Sequence, residues 1–155
     1  MAGRIDARLK ELGIELPQTA APVANYVPWV RTGNLVFTSG QVTIGPKGLD
    51  YVGQVGKEFD VETGKKAARL CALNVVAQVR AALDGDLDRV KRCVKVTGFV
   101  NAAPGFGQHP EVMNGASDLF VEVFGDAGRH ARAAVGAASL PRNVAVEVEA
   151  VFEVA

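Results

Sequence analysis

The chain has 155 residues, of which 48% are hydrophobic and 22% charged, a composition typical of folded domains and not of disordered segments. Seventeen basic residues balance seventeen acidic ones, and this zero net charge argues against a nucleic-acid binder, because phosphate affinity comes mostly from clustered Lys and Arg. It is compatible with self-association, because copies of the chain repel one another little. We expect a single domain over residues 1–155, with an N-terminal helix and an irregular extension in residues 1–19.

The two cysteines, Cys71 and Cys93, do not form a CxxC pair, and no His or Cys stands at metal-ligand spacing. The sequence therefore predicts neither a disulfide framework nor a metal site. The N-terminal stretch lacks the apolar core of a signal peptide, and no run of about twenty apolar residues could span a membrane. These features predict a cytoplasmic protein without membrane association.

The chain begins with a short predicted helix, because its apolar residues recur at helical spacing (Ile5, Leu9, Leu12). Residues 16–26 are punctuated by prolines and predict an irregular segment. Residues 26–44 then predict two strands around a turn at residues 32–34, where Gly and Asn tolerate the backbone angles of a tight turn.

The second of these strands ends in Ser39-Gly40-Gln41, a small polar interruption of an apolar segment. A glycine inside a strand indicates a bulge or a close approach of another group to the backbone. Residues 45–56 are rich in glycine and predict a loop or a short hairpin. Their spacing matches neither a P-loop nor a GxGxxG motif.

The longest predicted helix covers Val61–Leu83 and follows Asp60, a favourable N-cap residue. One apolar stripe predicts the face that packs on the core (Ala68, Cys71, Ala72, Val75, Val79, Ala82). The stripe contains one cysteine and the other lies in a predicted strand, so both thiols are expected in the core.

The second half of the chain predicts a strand, a helix and two more strands. Residues 87–102 alternate in polarity and predict a half-buried strand with three residues on one face (Val94, Val96, Gly98). Residues 109–128 predict a helix that starts near Pro110 and stops near Gly125, with an apolar face toward the core (Val112, Leu119, Phe120, Val123, Phe124). The stretch HARAAVGAASLPRNVAVEVEA supplies the last two strands.

This element order predicts an α+β domain with two helices packed on one face of a mixed β-sheet. The other face of the sheet is then left uncovered, although its strands are rich in Val, Phe and Ala. Such a face is commonly buried by a second copy of the chain, which predicts a homo-oligomer.

Two residues of the last strands are candidates for chemistry. Arg132 lies among small residues, which leave a hollow where its planar guanidinium could bind a carboxylate through two hydrogen bonds. The alternative is a strand arginine at a sheet edge or in an intersubunit ion pair. Glu147 and Glu149 share one strand face, either as solvent-exposed charges or, in a cleft, as a base that deprotonates a water molecule.

The other polar residues suggest less. His109 and His130 are each next to a loop and far apart in sequence, which favours surface or capping roles over an acid and base pair. Ser39 lacks the sequence context of a nucleophilic serine.

Two separated stretches resemble the signature of the RidA/YjgF family, also called L-PSP endoribonuclease-like. In residues 25–42, a tyrosine and a short strand precede Gly-Asn and an apolar strand that ends in Ser-Gly-Gln. In residues 131–150, an arginine after a small residue precedes a small-apolar strand, a Leu-Pro turn and a strand with Glu-x-Glu. The resemblance begins near Ala20, and the N-terminal helix and the loop at residues 101–110 resemble features of a longer subgroup.

The resemblance implies a chorismate-mutase-like fold, assembled as a homotrimer with ligand clefts between subunits. It also implies hydrolytic deamination of reactive enamines and imines of amino-acid metabolism, which yields a 2-oxo acid and ammonia without a cofactor or a metal. The implied ligand is a small metabolite that bears a carboxylate.

Carried over position by position, the resemblance implies that Arg132 grips the substrate carboxylate and that Glu147 lies near the attacking water. It further implies a set of substrate-binding positions (Tyr26, Ser39, Gly40, Asn114, Ala134). Ala134 departs from the family pattern, in which a cysteine usually stands two residues after the arginine. The alanine removes a thiol and widens the implied cleft, although backbone groups near it could still polarise the reacting atoms.

Two other functions remain open from the sequence. The same clefts could serve a non-catalytic trimer that binds a carboxylate metabolite or a protein. The endoribonuclease activity in the family's name is disfavoured by the zero net charge, the few aromatic residues and the lack of a histidine pair.

Overall fold

The computed structural model of the chain describes residues 3–19 and 24–155. The α-helices in these residues are α1 (Arg4–Glu11), α2 (Val61–Ala82) and α3 (His109–Phe124). The strands are β1 (Trp29–Thr32), β2 (Leu35–Thr38), β3 (Ile44–Gly45), β4 (Gly48–Leu49), β5 (Val90–Asn101), β6 (Ala131–Ala137) and β7 (Val146–Val154). The predicted irregular segment extends over residues 20–23, which lie outside the described residues.

The two long helices begin and end close to the predicted positions. Asp60 caps α2, because its carboxylate accepts a hydrogen bond from the backbone N–H of Thr63 at 2.8 Å. Pro110 lies in the first turn of α3, and Gly125 directly follows the last residue of that helix. Among the helices described, none has the length and apolar character needed to cross a bilayer.

Helix α1 is attached to the body of the domain at its first turn. The carboxylate of Asp88 accepts hydrogen bonds from the backbone N–H groups of Arg4 and Ile5, each at 2.8 Å. These two N–H groups have no partner within the helix, so the carboxylate satisfies donors that the helix end leaves free. Ile5 and Leu9 are buried in the main core, as the helical spacing predicts.

The main sheet has the strand order β1-β2-β7-β5-β6, in which only β5 and β6 are parallel to each other. Helices α2 and α3 cover one face of it, and the thiol of Cys71 in α2 lies 3.3 Å from the carbonyl oxygen of Val146 in β7. Strands β3 and β4 form the separate short hairpin that the glycine-rich segment predicts. The predicted α+β class with a mixed sheet is confirmed.

The predicted alternation of β5 is wrong at one residue. Val96 and Gly98 are buried on the helix-covered face, but Val94 is exposed. The register with β7 shifts between Cys93 and Lys95, so that Val94 is an extra residue in a bulge. A bulge changes the side-chain parity of a strand, and the polarity pattern of the sequence gives no sign of it.

The second face of the sheet is open in the single chain. Val30, Phe37 and Val135 are 52%, 42% and 45% exposed there. Three large apolar side chains on one sheet face form the surface that a second copy of the chain was expected to cover. The assembly itself stays a prediction.

Candidate active site

Arg132 points to the sheet face that α3 covers. Its partner in β5 is Val96, which in turn lies opposite Ala150 of β7, and both of these residues are buried beneath the helices. Residues directly opposite one another in a sheet point to the same face, so the register places Arg132 on the helix side.

The guanidinium of Arg132 is held by three acceptors of α3. Its Nη1 donates to Asn114 Oδ1 at 2.9 Å and to Ser117 Oγ at 3.1 Å, and its Nη2 donates to the carbonyl oxygen of Pro110 at 3.3 Å. We call Arg132, Asn114 and Ser117 the guanidinium cluster. Within the described residues Arg132 forms no ion pair with a carboxylate, so its charge is available to an anionic ligand.

His130 lies behind this cluster and is half-buried, and of the two predicted roles, surface or capping, its contact with the last carbonyl of the preceding turn agrees with capping. Its Nε2 is 2.8 Å from Ser117 Oγ and its Nδ1 is 2.7 Å from the carbonyl oxygen of Gly128. Burial is the main cause that lowers the pKa of His130, and the charge of Arg132 adds to it, while the hydrogen bond to Gly128 acts in the opposite direction. The lowered pKa favours the neutral form of the ring.

Glu147 points to the open face of the sheet. In β5 its partner is Phe99, which is also the partner of Val135, one of the exposed apolar residues. Half-burial is the larger cause that raises the pKa of the Glu147 carboxyl, and the nearby charge of Glu149 raises it further. A carboxylate with a raised pKa is a better base than an exposed glutamate.

Gly40 makes room for this carboxylate. A Cβ atom built on Gly40 would lie 2.8 Å from Glu147 Oε1 and 2.9 Å from its Cδ, closer than real side-chain contacts allow. The close approach that a glycine in this strand predicts is therefore confirmed, and the group that approaches is the candidate catalytic carboxylate.

Ser39 holds the loop on the same side of the site. Its hydroxyl donates to the carbonyl oxygen of Val27 at 2.7 Å, and the side-chain amide of Gln41 donates to the carbonyl of Ser39 at 3.1 Å. Tyr26 directly precedes Val27 and is 56% exposed. We call Ser39, Gly40 and Glu147 the carboxylate cluster.

The structure thus brings the predicted site residues together in two separate groups. The guanidinium cluster contains Arg132 and Asn114 on the helix side, and the carboxylate cluster lies on the open side of the same sheet. Within one chain, Arg132 and Glu147 therefore do not face a common cavity.

Ala134 lies on the same face as Arg132, opposite Gly98 of β5. The family pattern has a cysteine at this position, and neither Cys71 nor Cys93 can supply a reactive thiol in its place. Burial raises the pKa of Cys71 well above its usual value and that of Cys93 to about 12. Both thiols are buried, as predicted. Over residues 3–19 and 24–155 no group of His, Cys, Asp and Glu side chains could hold a metal ion.

The sequence reasoning missed two residues, Ser117 and His130, that complete the surroundings of Arg132. A signal for each was present. Ser117 follows Asn114 by three residues in α3, which puts both polar side chains on one helix face, and His130 precedes Arg132 by two residues, which puts both on one strand face.

A profile described as "YjgF/chorismate mutase-like, putative endoribonuclease" matches residues 6–154 of the chain. The chain belongs to the RidA/YjgF family. This membership agrees with the chorismate-mutase-like fold that the two sequence stretches imply.

Individual members of the family differ in their sequence identity to this chain. TCP17 of Trypanosoma cruzi is 52% identical over 153 residues, which cover 98% of this chain and 95% of that protein. The crystal structure of a protein of unknown function from Agrobacterium tumefaciens is 48% identical and has a TM-score of 0.91, with 97% of this chain and 92% of that chain covered. The 2-iminobutanoate/2-iminopropanoate deaminase of Escherichia coli is 32% identical over 133 residues, which cover 84% of this chain and 88% of that enzyme.

Proposed function

We propose that this RidA/YjgF protein hydrolyses reactive imines and enamines that bear a carboxylate, in clefts between the subunits of a homotrimer. The observation that carries the proposal is the guanidinium of Arg132, which α3 fixes by three hydrogen bonds without pairing it to a carboxylate of the described chain. The deaminase name of the Escherichia coli relative supports the same reaction.

Arg132 anchors the substrate in this proposal. A guanidinium has five N–H donors, and Asn114, Ser117 and Pro110 accept from three of them. In this proposal Pro110 accepts the Nη2 hydrogen that faces Nη1, so Nε–H and the other Nη2–H are left for the substrate. Two adjacent donors on one edge match the two oxygens of a carboxylate.

Glu147 acts on water in this proposal. The carboxylate takes a proton from a water molecule whose oxygen attacks the imine carbon, and it passes this proton to the imine nitrogen to give a carbinolamine. The carbinolamine hydroxyl then loses its proton, through the same carboxylate, to nitrogen while the C–N bond breaks, so that ammonia leaves, a 2-oxo acid remains and Glu147 is ionised again. An imine is already electrophilic, so anchoring, a positioned water and proton transfer are sufficient and no cofactor is needed.

The activity test is direct. Purified protein is supplied with 2-iminobutanoate generated in place by an enzyme that acts on an amino acid, and ammonia and 2-oxobutanoate are measured. We expect release above the spontaneous rate and its loss in Arg132→Ala and Glu147→Gln. Saturable binding of 2-oxobutanoate that depends on Arg132, without turnover, would instead indicate a carboxylate-binding trimer.

The intersubunit position of the site has its own test. Arg132→Ala and Glu147→Gln chains are unfolded together in equal amounts and refolded, so that the trimers contain both variants. If each site takes Arg132 from one copy and Glu147 from its neighbour, about a quarter of the sites regain both residues by random assembly. Activity near that fraction of the wild type is expected, and no recovery would contradict a site shared between neighbouring copies.

A further inference from the structure

The contacts behind Arg132 form a chain of hydrogen bonds with a fixed direction. A guanidinium only donates, so Ser117 Oγ accepts from Arg132 Nη1. At the other end the carbonyl of Gly128 only accepts, so His130 carries its proton on Nδ1. The bare Nε2 of the neutral ring then accepts the hydroxyl proton of Ser117, and every group in the chain has one consistent role.

The imidazole is held in place by packing as well as by hydrogen bonds. Its ring meets the ring of Phe120 edge-on, with centroids 5.7 Å apart and an interplanar angle of 89°. Phe120 is fully buried, so the side chain against which the His130 ring packs belongs to the core. A Cβ on Gly128 would collide with the backbone carbonyl of Phe120, so the turn that offers its carbonyl to His130 requires a glycine.

We propose that Ser117 and His130 are positioning residues that orient the guanidinium of Arg132 toward a carboxylate ligand. By accepting from Nη1, Ser117 holds that end of the guanidinium against α3 and leaves Nε–H without an acceptor in the helix, and His130 keeps the Ser117 hydroxyl oriented so that its oxygen lone pairs face Arg132. The inference rests on the proposed function, because it assigns this orientation to the same anion site.

The same chain links carboxylate binding to the charge of His130. The ring is surrounded by Ser117 and Phe120 of α3, the Gly128 carbonyl of the preceding turn, and Arg132 of β6. The other charged residues of this turn, Arg129 and Asp126, are exposed and lie 3.6 Å apart as a pair.

Arg132 is therefore the charge that opposes protonation of His130. A carboxylate bound to Arg132 offsets this charge and raises the pKa of His130, so binding is accompanied by proton uptake at Nε2. The charged ring then donates to Ser117 Oγ, whose second lone pair still accepts from Arg132 Nη1. By linkage, carboxylate affinity rises as the pH falls through the His130 pKa, in a window below the ordinary histidine value of about 6.5.

The test measures 2-oxobutanoate binding by calorimetry, and deamination kinetics, from pH 5 to pH 8. Ser117→Ala removes one hydrogen bond to a charged group, so we expect binding weaker by about 5- to 30-fold, with KM affected more than kcat. Ser117→Thr keeps the hydroxyl and restores binding. His130→Phe preserves the packing on Phe120 but removes the increase in affinity at low pH. Ser139→Ala, at an exposed serine after β6, is the matched control and leaves binding unchanged.

A second measurement needs no ligand. Long-range 15N–1H NMR spectra of the histidine rings report which nitrogen of His130 bears the proton, and we expect the Nδ1–H tautomer together with slowed rotation of the Arg132 guanidinium that becomes faster in Ser117→Ala. A proton on Nε2, or rotation unchanged by the substitution, overturns the inference even in a protein that binds no carboxylate. Equal binding by wild type and Ser117→Ala also overturns it, whereas absence of binding and turnover in the wild type contradicts the proposed function instead.

Discussion

Replacing Gly40 with alanine should lower the catalytic rate and leave the free energy of unfolding nearly unchanged. The new Cβ would lie 2.8 Å from Glu147 Oε1, while ordinary contacts begin at 3.4 Å, so the oxygen has to move by about 0.6 Å. The atoms that have to move are Oε1, Cδ and Cγ of the flexible Glu147 side chain and include no backbone atom, and Gly40 has no positive φ angle that alanine would find strained. We expect the free energy of unfolding to change by less than about 1 kcal/mol.

The effect on catalysis should be larger, because the displaced oxygen belongs to the proposed base. A displacement of 1 Å at a catalytic group costs up to about 100-fold in rate, so for about 0.6 Å we expect kcat to fall by about 10-fold in Gly40→Ala. Imine deamination is measured beside thermal unfolding of the same sample. Gly107→Ala is the matched control, since a Cβ at Gly107 meets nothing within 4 Å.

Two results would refute this reasoning. Full activity in Gly40→Ala would mean that the position of the Glu147 carboxylate does not matter for the reaction. A loss of several kcal/mol of stability would mean that the side chain cannot yield and that Gly40 serves the fold. In a Glu147→Gln background the alanine should cause no further loss of kcat, because both substitutions act on one group.

Three further outcomes follow from the same contacts. Glu149→Gln removes a charge that raises the Glu147 pKa, so the acidic limb of the pH–rate profile should move to lower pH. Because the pKa of Glu147 is raised in the folded state, ionisation of this carboxyl lowers the free energy of unfolding as the pH rises through that pKa. Glu147→Gln should therefore stabilise the protein at neutral pH, as measured by thermal unfolding. The Cys93 thiol, with a pKa raised to about 12 by burial, should react with a chromogenic disulfide only when the protein is unfolded, and rapid labelling of the native protein would contradict its burial. Gly98→Ala drives a Cβ into Met113 and should lower the free energy of unfolding by about 1–3 kcal/mol, as measured by urea denaturation.

Much of the secondary structure could be predicted because its causes are local. The start of α2 depends on Asp60 and the backbone next to it, and the turn between β1 and β2 depends on Gly33, whose φ is 57°. Val94 could not be placed, because the bulge that exposes it is set by the register between β5 and β7. Register is a property of two strands distant in sequence, and alternation within one strand does not determine it.

The candidate site likewise contains residues that the sequence indicates and residues whose role depends on tertiary packing. The sequence stretches that resemble the family name Arg132 and Glu147, and the glycine in Ser39-Gly40-Gln41 indicates a close approach without naming the group that approaches. Ser117 and His130 were missed because a polar residue on an apolar helix, or a histidine beside a loop, gains meaning only when its partner is known. Their pairing depends on how α3 packs on β6.

Sheet geometry explains why a cleft with both candidate groups requires a second copy. Strand β5 lies between β6 and β7, with Val96 opposite Arg132 and Phe99 opposite Glu147. Three residues along a strand reverse the face, so the two functional side chains point to opposite sides. Slipping β6 by one residue would bring Arg132 to the open face, but it would also turn Ala134 away from α3 and put exposed Val135 beneath the helix. Arg132 and Glu147 therefore cannot share one face within one chain unless the core is disturbed. Under the proposed function, a neighbouring copy that covers the open face, where Val30 and Val135 are exposed, presents its guanidinium cluster to the carboxylate cluster, and the proposed reaction then requires an oligomer.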